Sequence, residues 1–178
     1  GAASVRPPLS ALTLHEPRSL SEALRMLRDE GPLTPLAGCT DVFVQFNFGT
    51  QPARAFLDLS RISALRRIRV DQGTLVLGAL ATYTDLIRSR LVRSRLPMLA
   101  AAAREVGGPQ IQHRGTLGGN VANGSPAGDA LPVLTAAEAT LVLLSADGER
   151  RVPFAGFYTG YRASVLRPDE IIAAVEVP

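Results

Sequence analysis

Two stretches combine glycine with small and polar residues in a pattern suited to a phosphate-bearing ligand. In the first, Ala37-Gly38-Cys39-Thr40-Asp41 follows the apolar run Leu33 to Leu36, which contains Pro35, and apolar residues resume at Val42. Small residues let an oxyanion approach consecutive backbone N–H groups, and threonine adds a hydroxyl donor. The same residues also make a plain β-turn, the simpler reading of this loop taken alone. The second stretch is Arg114-Gly115-Thr116-Leu117-Gly118-Gly119-Asn120, followed by Asn123, Ser125-Pro126 and Asp129. Glycine at 118 and 119 removes side chains where a planar or charged ligand could touch backbone, while Thr116, Asn120, Ser125 and Asp129 offer polar groups. It is neither a dinucleotide fingerprint, which needs Gly-x-Gly-x-x-Gly after a strand, nor a Walker loop, which needs a lysine that this lysine-free chain lacks.

Composition narrows the classes. A chain of 178 residues, 46% hydrophobic and 20% charged, suits a globular protein and is too apolar for disorder. The 19 basic residues give a formal net charge of +3, and the arginines at 61, 66, 67 and 69 and at 88, 90, 93 and 95 alternate with apolar residues, as solvated faces do. Aromatics are 5% with no tryptophan, and no nucleic-acid motif is present, so nucleic acid is not an expected partner. The single cysteine, Cys39, excludes an internal disulfide and a thiolate cluster within the chain, and suits a reducing, cytoplasmic setting. It reads as a small filler, because no activating partner is visible. His15 and His113 are too far apart in sequence for a metal pair, so no metal site is expected. The run from Ala130 to Leu144 is interrupted by Pro132, Thr135, Glu138 and Thr140, which argues against a membrane span. Gly1 to Leu9 lacks a signal-peptide core, and residues 1–11 read as a disordered or tag-like leader.

The elements that must position the two stretches follow from periodicity and turn chemistry. Leu20, Ala23, Leu24 and Leu27 predict a helix over Leu20–Glu30, with Ser19 and Glu22 as its capping box and Gly31-Pro32 as its stop. Strands are expected over Leu33–Ala37 and Ala55–Leu59, and a hairpin joins Arg67–Val70 to Thr74–Leu77 through Asp71-Gln72-Gly73. Thr82 or Thr84 caps a helix running to about Arg90, and a second, alanine-rich helix covers Leu96–Glu105. The glycine-dense region from Gly107 to Gly128 reads as an ordered ligand loop. A helix over Leu131–Ala137, strands over Thr140–Leu144 and Arg150–Val152 joined by an Asp147-Gly148 turn, and a last strand over Ile171–Val177 complete an α+β chain. Its N-terminal lobe, 12–60, is a small sheet with helices, and its second lobe, 61–178, is built on an antiparallel sheet.

The order Ala37-Gly38-Cys39-Thr40-Asp41, Gly78-Ala79 with Thr82 and Asp85-Leu86, Gln110-Ile111-x-x-Arg114-Gly115-Thr116-Leu117-Gly118-Gly119-Asn120, and Ser125-Pro126-x-x-Asp129 resembles the FAD-binding domain of the molybdopterin-dependent hydroxylases, the xanthine and carbon monoxide dehydrogenase group. The resemblance extends through Asp147-Gly148 and Arg151 to Asp169-Glu170-Ile171-Ile172. It implies the PCMH-type fold, with FAD held noncovalently between two lobes. Pro35, Leu36, Ala37, Gly38, Cys39, Thr40, Asp41 and Val42 would then line the adenine and pyrophosphate side. Thr116, Gly118, Gly119, Asn120, Ser125 and Asp129 would serve from the other lobe, and Val106, Ile171 and Ile172 would pack near the flavin ring. Cys39 stands where glycine is common, and family members continue into a C-terminal lobe beyond the position of Pro178. His113, where the family often carries asparagine, reads as a loop or surface residue, and Arg114 as a brace for its loop. The resemblance further implies a hetero-oligomer with a molybdopterin-binding large subunit and a 2Fe-2S small subunit. Electrons would pass through FAD to NAD, quinone or oxygen, with no catalytic acid or base in this chain. A flavin-free structural subunit and another PCMH-type FAD oxidoreductase are the alternatives.

Overall fold

The structure, a computed structural model, describes residues 13–36, 55–124, 130–160 and 163–178. Near the N-terminus, a three-stranded sheet has the order β1-β3-β2, with β1 Thr13–His15, β2 Thr34–Leu36 and β3 Ala55–Asp58, all parallel. Helix α1, Leu20–Asp29, connects β1 to β2; Ser19 caps it by accepting the Glu22 N–H, and Glu22 in turn accepts from the Arg18 N–H rather than closing a box on Ser19. Ala23 and Leu27 on its inner face pack with Leu33, Leu57 and Leu59. The three residues of β1 are too few for their alternation to be read in the sequence, and the strand exists because β3 offers it a free edge.

The larger sheet has five strands in the order β4-β5-β10-β6-β7, antiparallel throughout. Strands β4 (Ile68–Asp71) and β5 (Thr74–Gly78) form the expected hairpin, with φ of 48° at Gln72 and 84° at Gly73, a turn that glycine accommodates without strain. Strands β6 (Thr140–Ser145) and β7 (Gly148–Pro153) form the second hairpin, and β8 (Tyr158–Gly160) with β9 (Ala163–Ser164) makes a separate two-stranded ribbon. Strand β10, Ile171–Val177, enters between β5 and β6 and is buried along most of its length. Leu75, Leu77, Leu141, Leu143 and Val175 face one core, shared with helices. Ile171 and Ala173 face the other, shared with α1 and the three-stranded sheet. The sheet is therefore sandwiched, which is why β10 reads as a near-continuous apolar run rather than an alternating one.

The helices that cover the first face are α2 (Tyr83–Arg88), α3 (Arg90–Arg95), α4 (Pro97–Arg104), α5 (Pro109–Arg114), α6 (Leu117–Asn123) and α7 (Ala130–Ala136). Two expectations are corrected here. The helix from Thr82 stops at Arg88, because the Ser89 side chain accepts the Val92 N–H and starts α3 instead. The glycine-dense region is not a loop over its described part. Pro109 opens α5, Thr116 caps α6, and Gly124 in the left-handed conformation ends it, so the glycines punctuate two short helices.

Thr82 is the best-anchored cap. Its side chain accepts the Asp85 N–H at 3.1 Å, its own N–H donates to Asp85 at 2.9 Å, and Arg66 grips the same carboxylate at 2.8 and 3.0 Å. One carboxylate thus ties α2 to the turn Ser63–Arg66 that precedes β4. Thr82→Ala should cost about 1 kcal/mol, within the ordinary range for loss of a helix cap, as read by urea unfolding at constant m-value.

Candidate functional site

A cavity of about 240 Å³ opens where the two sheets meet. Pro35 and Leu36 from the end of β2 and Leu59 just after β3 form one side, Ala79 and Leu80 follow β5, and Ile171 and Ile172 begin β10. The remaining wall is α6, through Gly118, Gly119, Ala122 and Asn123, with Leu166 and Glu170 from the turn before β10. Of the residues proposed from sequence, Pro35, Leu36, Gly118, Gly119, Ile171 and Ile172 are thus brought together. Thr116 and Asn120 belong to the same helix without lining the cavity, and Val106 packs against the larger core instead. Ala37, Gly38, Cys39, Thr40, Asp41, Val42, Ser125 and Asp129 lie outside the described residues.

Gly118 has a packing reason. A Cβ there would lie 2.7 Å from the Ala79 Cβ and 2.9 Å from its carbonyl oxygen, closer than side chains tolerate. That approach lets the Gly118 N–H donate to Ala79 at 2.8 Å and the Leu117 N–H to Ala81 at 2.9 Å, while the Gly119 N–H is capped by the Thr116 hydroxyl at 3.1 Å. The first turn of α6 therefore has its donors occupied within the chain, and the polar capacity it retains is on side chains. Asn120 stands out: its Nδ2 is buried and has no hydrogen-bond partner among the described residues. A buried amide donor left open costs roughly 1–3 kcal/mol, so such groups call for an explanation.

The far end of α6 is braced by Tyr158, whose hydroxyl donates to the Val121 carbonyl at 2.6 Å and whose ring meets Phe154 and Phe157 edge-on at centroid distances of 5.8 and 5.1 Å. Burial pushes its phenol up to about 12, so it stays a neutral donor across the working pH range. His113 sits on α5 away from the cavity, its Nδ1 3.0 Å from the Thr84 hydroxyl, and Arg114 is exposed; both keep to the surface.

Glu170 is the residue that sequence reasoning passed over. It is 5% exposed, and Arg150 donates to it at 3.0 Å from Nε and 2.7 Å from Nη2, with a third bond of 2.9 Å from the Arg167 N–H. The Arg150 hydrogen bonds hold the carboxyl below the usual carboxylate range despite its burial. Arg150 also donates to the Val165 carbonyl at 2.7 Å, so the pair closes the turn that carries Leu166 into the cavity wall. The available signal was a lone glutamate abutting the apolar run Ile171–Val175, where a central strand has no solvent to offer a charge.

The profile of the FAD binding domain in molybdopterin dehydrogenase matches residues 10–178. The carbon monoxide dehydrogenase medium chain of Hydrogenophaga pseudoflava is 36% identical over 165 residues, covering 92% of this chain and 58% of that one. The nicotinate dehydrogenase FAD-subunit of Eubacterium barkeri is 35% identical over 164 residues, covering 89% and 55%. Among solved structures, carbon monoxide dehydrogenase from Hydrogenophaga pseudoflava, in a form lacking the Mo-pyranopterin moiety of its cofactor, superposes with a TM-score of 0.88 at 35% identity, covering 98% of this chain and 60% of that one. The chain spans less than two thirds of the length of these relatives.

A carboxyl whose folded pKa lies below its unfolded value of about 4.3 stabilises the fold fully above that value and loses the contribution as pH falls through the folded pKa. Glu170→Gln should therefore be less stable than the parent by about 1–3 kcal/mol at neutral pH. The gap should narrow below about pH 4 as the parent's carboxyl protonates, as urea titrations across pH would show.

Proposed function

The chain belongs to the family of FAD binding domains in molybdopterin dehydrogenases, and from that premise we propose that it is the electron-transfer part of a molybdenum hydroxylase. Its cofactor is FAD, and it is part of an oxidoreductase. In this reading electrons come from iron–sulfur clusters of a small partner subunit, a separate large subunit carries the molybdenum cofactor, and NAD, quinone or oxygen takes the electrons onward. The assembly is a cytoplasmic hetero-oligomer. No helix among the described residues is long and apolar enough to cross a membrane.

The residues fit the cofactor. FAD pairs an apolar, planar ring with a polar, anionic chain, and the cavity pairs Leu36, Leu59, Leu80, Ile171 and Ile172 with a neighbouring amide that lacks a partner. When bound, the flavin supplies redox chemistry that side chains cannot, and the protein supplies position and electrostatics. The aliphatic walls exclude water, Asn123 on α6 stands at the wall, and Asn120 Nδ2, on the same helix but outside the described lining, is the donor assigned to a cofactor oxygen. Pro35 to Val42 are assigned the adenine and pyrophosphate side, Thr116 keeps α6 in place, and Ser125 and Asp129 are assigned cofactor hydroxyls. We assign 12–60 and 61–178 as two lobes with the cofactor between them. The unpartnered Asn120 donor is the observation that carries this assignment, and noncovalent attachment is supported by His113 not being among the described lining residues.

The absorption spectrum of the purified protein, before and after acid precipitation, tests the reading. Flavin bands released into the supernatant are expected, whereas flavin held in the pellet would mean a covalent link and a colourless protein that ignores added FAD would mean a structural subunit. Asn120→Leu should act in opposite directions on two readouts. Removing an unsatisfied donor should leave the flavin-free protein as stable or more so, while the lost hydrogen bond to FAD weakens binding about ten- to a hundred-fold. Unchanged FAD affinity by fluorescence titration would remove Asn120 from the site.

A further inference from the structure

The Glu170–Arg150 pair is formally neutral, but its two charges do not stand equally toward the cavity. Glu170 lines it, while Arg150 does not, and the Arg150 side chain is 30% exposed against 4% for that of Glu170. Water screens the guanidinium more than a carboxylate enclosed beside Leu166, Ile171 and Ile172. No other charged residue is among the described lining residues, and the first-turn N–H groups of α6, which would offset a negative charge, are occupied by Ala79, Ala81 and Thr116. Among the described lining residues, the one fixed charge that faces the cavity is therefore negative.

Resting on the reading that FAD occupies this cavity, we propose that Glu170 sets the reduction potential of the bound flavin, holding it below the value a neutral wall would give. Reduction adds electrons to the flavin, and a nearby fixed carboxylate opposes that addition. A lower potential makes the reduced cofactor a better donor to the acceptor. Glu170 is thus a tuning residue as well as the anchor of the Leu166–Ile171 turn.

Tuning and anchoring separate by experiment. The midpoint potential of the flavin-loaded whole protein is measured by dye-coupled reductive titration for the parent, Glu170→Gln, Leu166→Lys and Glu176→Gln. Glu170→Gln removes the charge and keeps the size. Leu166→Lys adds a positive charge at the same wall with Glu170 kept, so an unchanged potential there would overturn the tuning role even if Glu170→Gln does not fold. Glu176 on β10 pairs with Arg151 on β7 and is not among the described lining residues, so its loss controls for the overall charge. The expected result is a shift to more positive potential in Glu170→Gln and Leu166→Lys and none in Glu176→Gln. Bound flavin with an unchanged potential in the first two, or an equal shift in all three, would overturn the tuning role and leave the FAD reading standing. A parent protein that takes up no flavin would overturn both.

Discussion

The molecule depends on β10 lying between β5 and β6. Ala174 through Val177 pair with Gly78 through Leu75 on one side, and Ile171 through Glu176 pair with Leu144 through Thr140 on the other. A register shift between Ile172 and Ala174 interrupts the β6 ladder at Ala173, whose carbonyl instead accepts the Ala79 N–H at 2.9 Å. Across the irregularity the facing changes parity: Ile172, Val175 and Val177 join the helical core, and Ile171 and Ala173 join the core of the smaller sheet. Because the same strand seals both cores and starts at the cavity wall, the geometry of the site is tied to closure of the whole sheet. These pairings join distant parts of the chain, so the site forms only after the costliest loop closures of folding have been met.

Ala79 is the second junction. It takes the Gly118 N–H on one side and donates to Ala173 on the other, so the segment after β5 is clasped between α6 and β10. Each partner contributes lining residues, and the clasp sets their separation. Glycine at 118 makes the approach possible, Thr116 holds the helix start, and Tyr158 holds its end. A short helix would fray on its own. Here tertiary bonds at both ends replace the length it lacks, and Asn120 is carried on a rigid element.

The strands and helices with strong local signals were legible from sequence: the Leu20 helix through its spacing and Ser19 cap, both β-hairpins through their turn residues, and Ile171–Val177 to its residue bounds. What escaped was governed by contacts distant in sequence. Strand β1 needs the edge of β3, and the Ser89 break reflects a competing cap. The helices α5 and α6 were hidden because glycine density normally signals a loop, whereas Gly118 answers to Ala79 and Gly124 to a helix end. For the site, Pro35, Leu36, Gly118, Gly119, Ile171 and Ile172, named from the sequence, line one cavity, and Ala37 to Val42 lie outside the described residues. Glu170 was named only within the Asp169 to Ile172 match, and its role was hidden because it comes from Arg150 on β7.

The protonation state of Glu170 also argues for what the cavity does. A lone carboxylate in an apolar pocket would suit a general base, with its pKa raised toward neutrality by burial. Here both oxygens are engaged, Oε2 by Arg150 and Oε1 by Arg150 and the Arg167 N–H, and the hydrogen bonds hold the group below the usual carboxylate range. Three of its roughly four lone-pair sites are occupied, and it has little tendency to take a proton. Among the described lining residues there is no second titratable side chain to pair with it. The groups that remain, aliphatic walls, asparagine amides and one locked charge, can bind a cofactor, keep water from it and set its electrostatic surroundings. That chemistry suits a domain that holds a redox group rather than one that transforms a substrate with its own side chains.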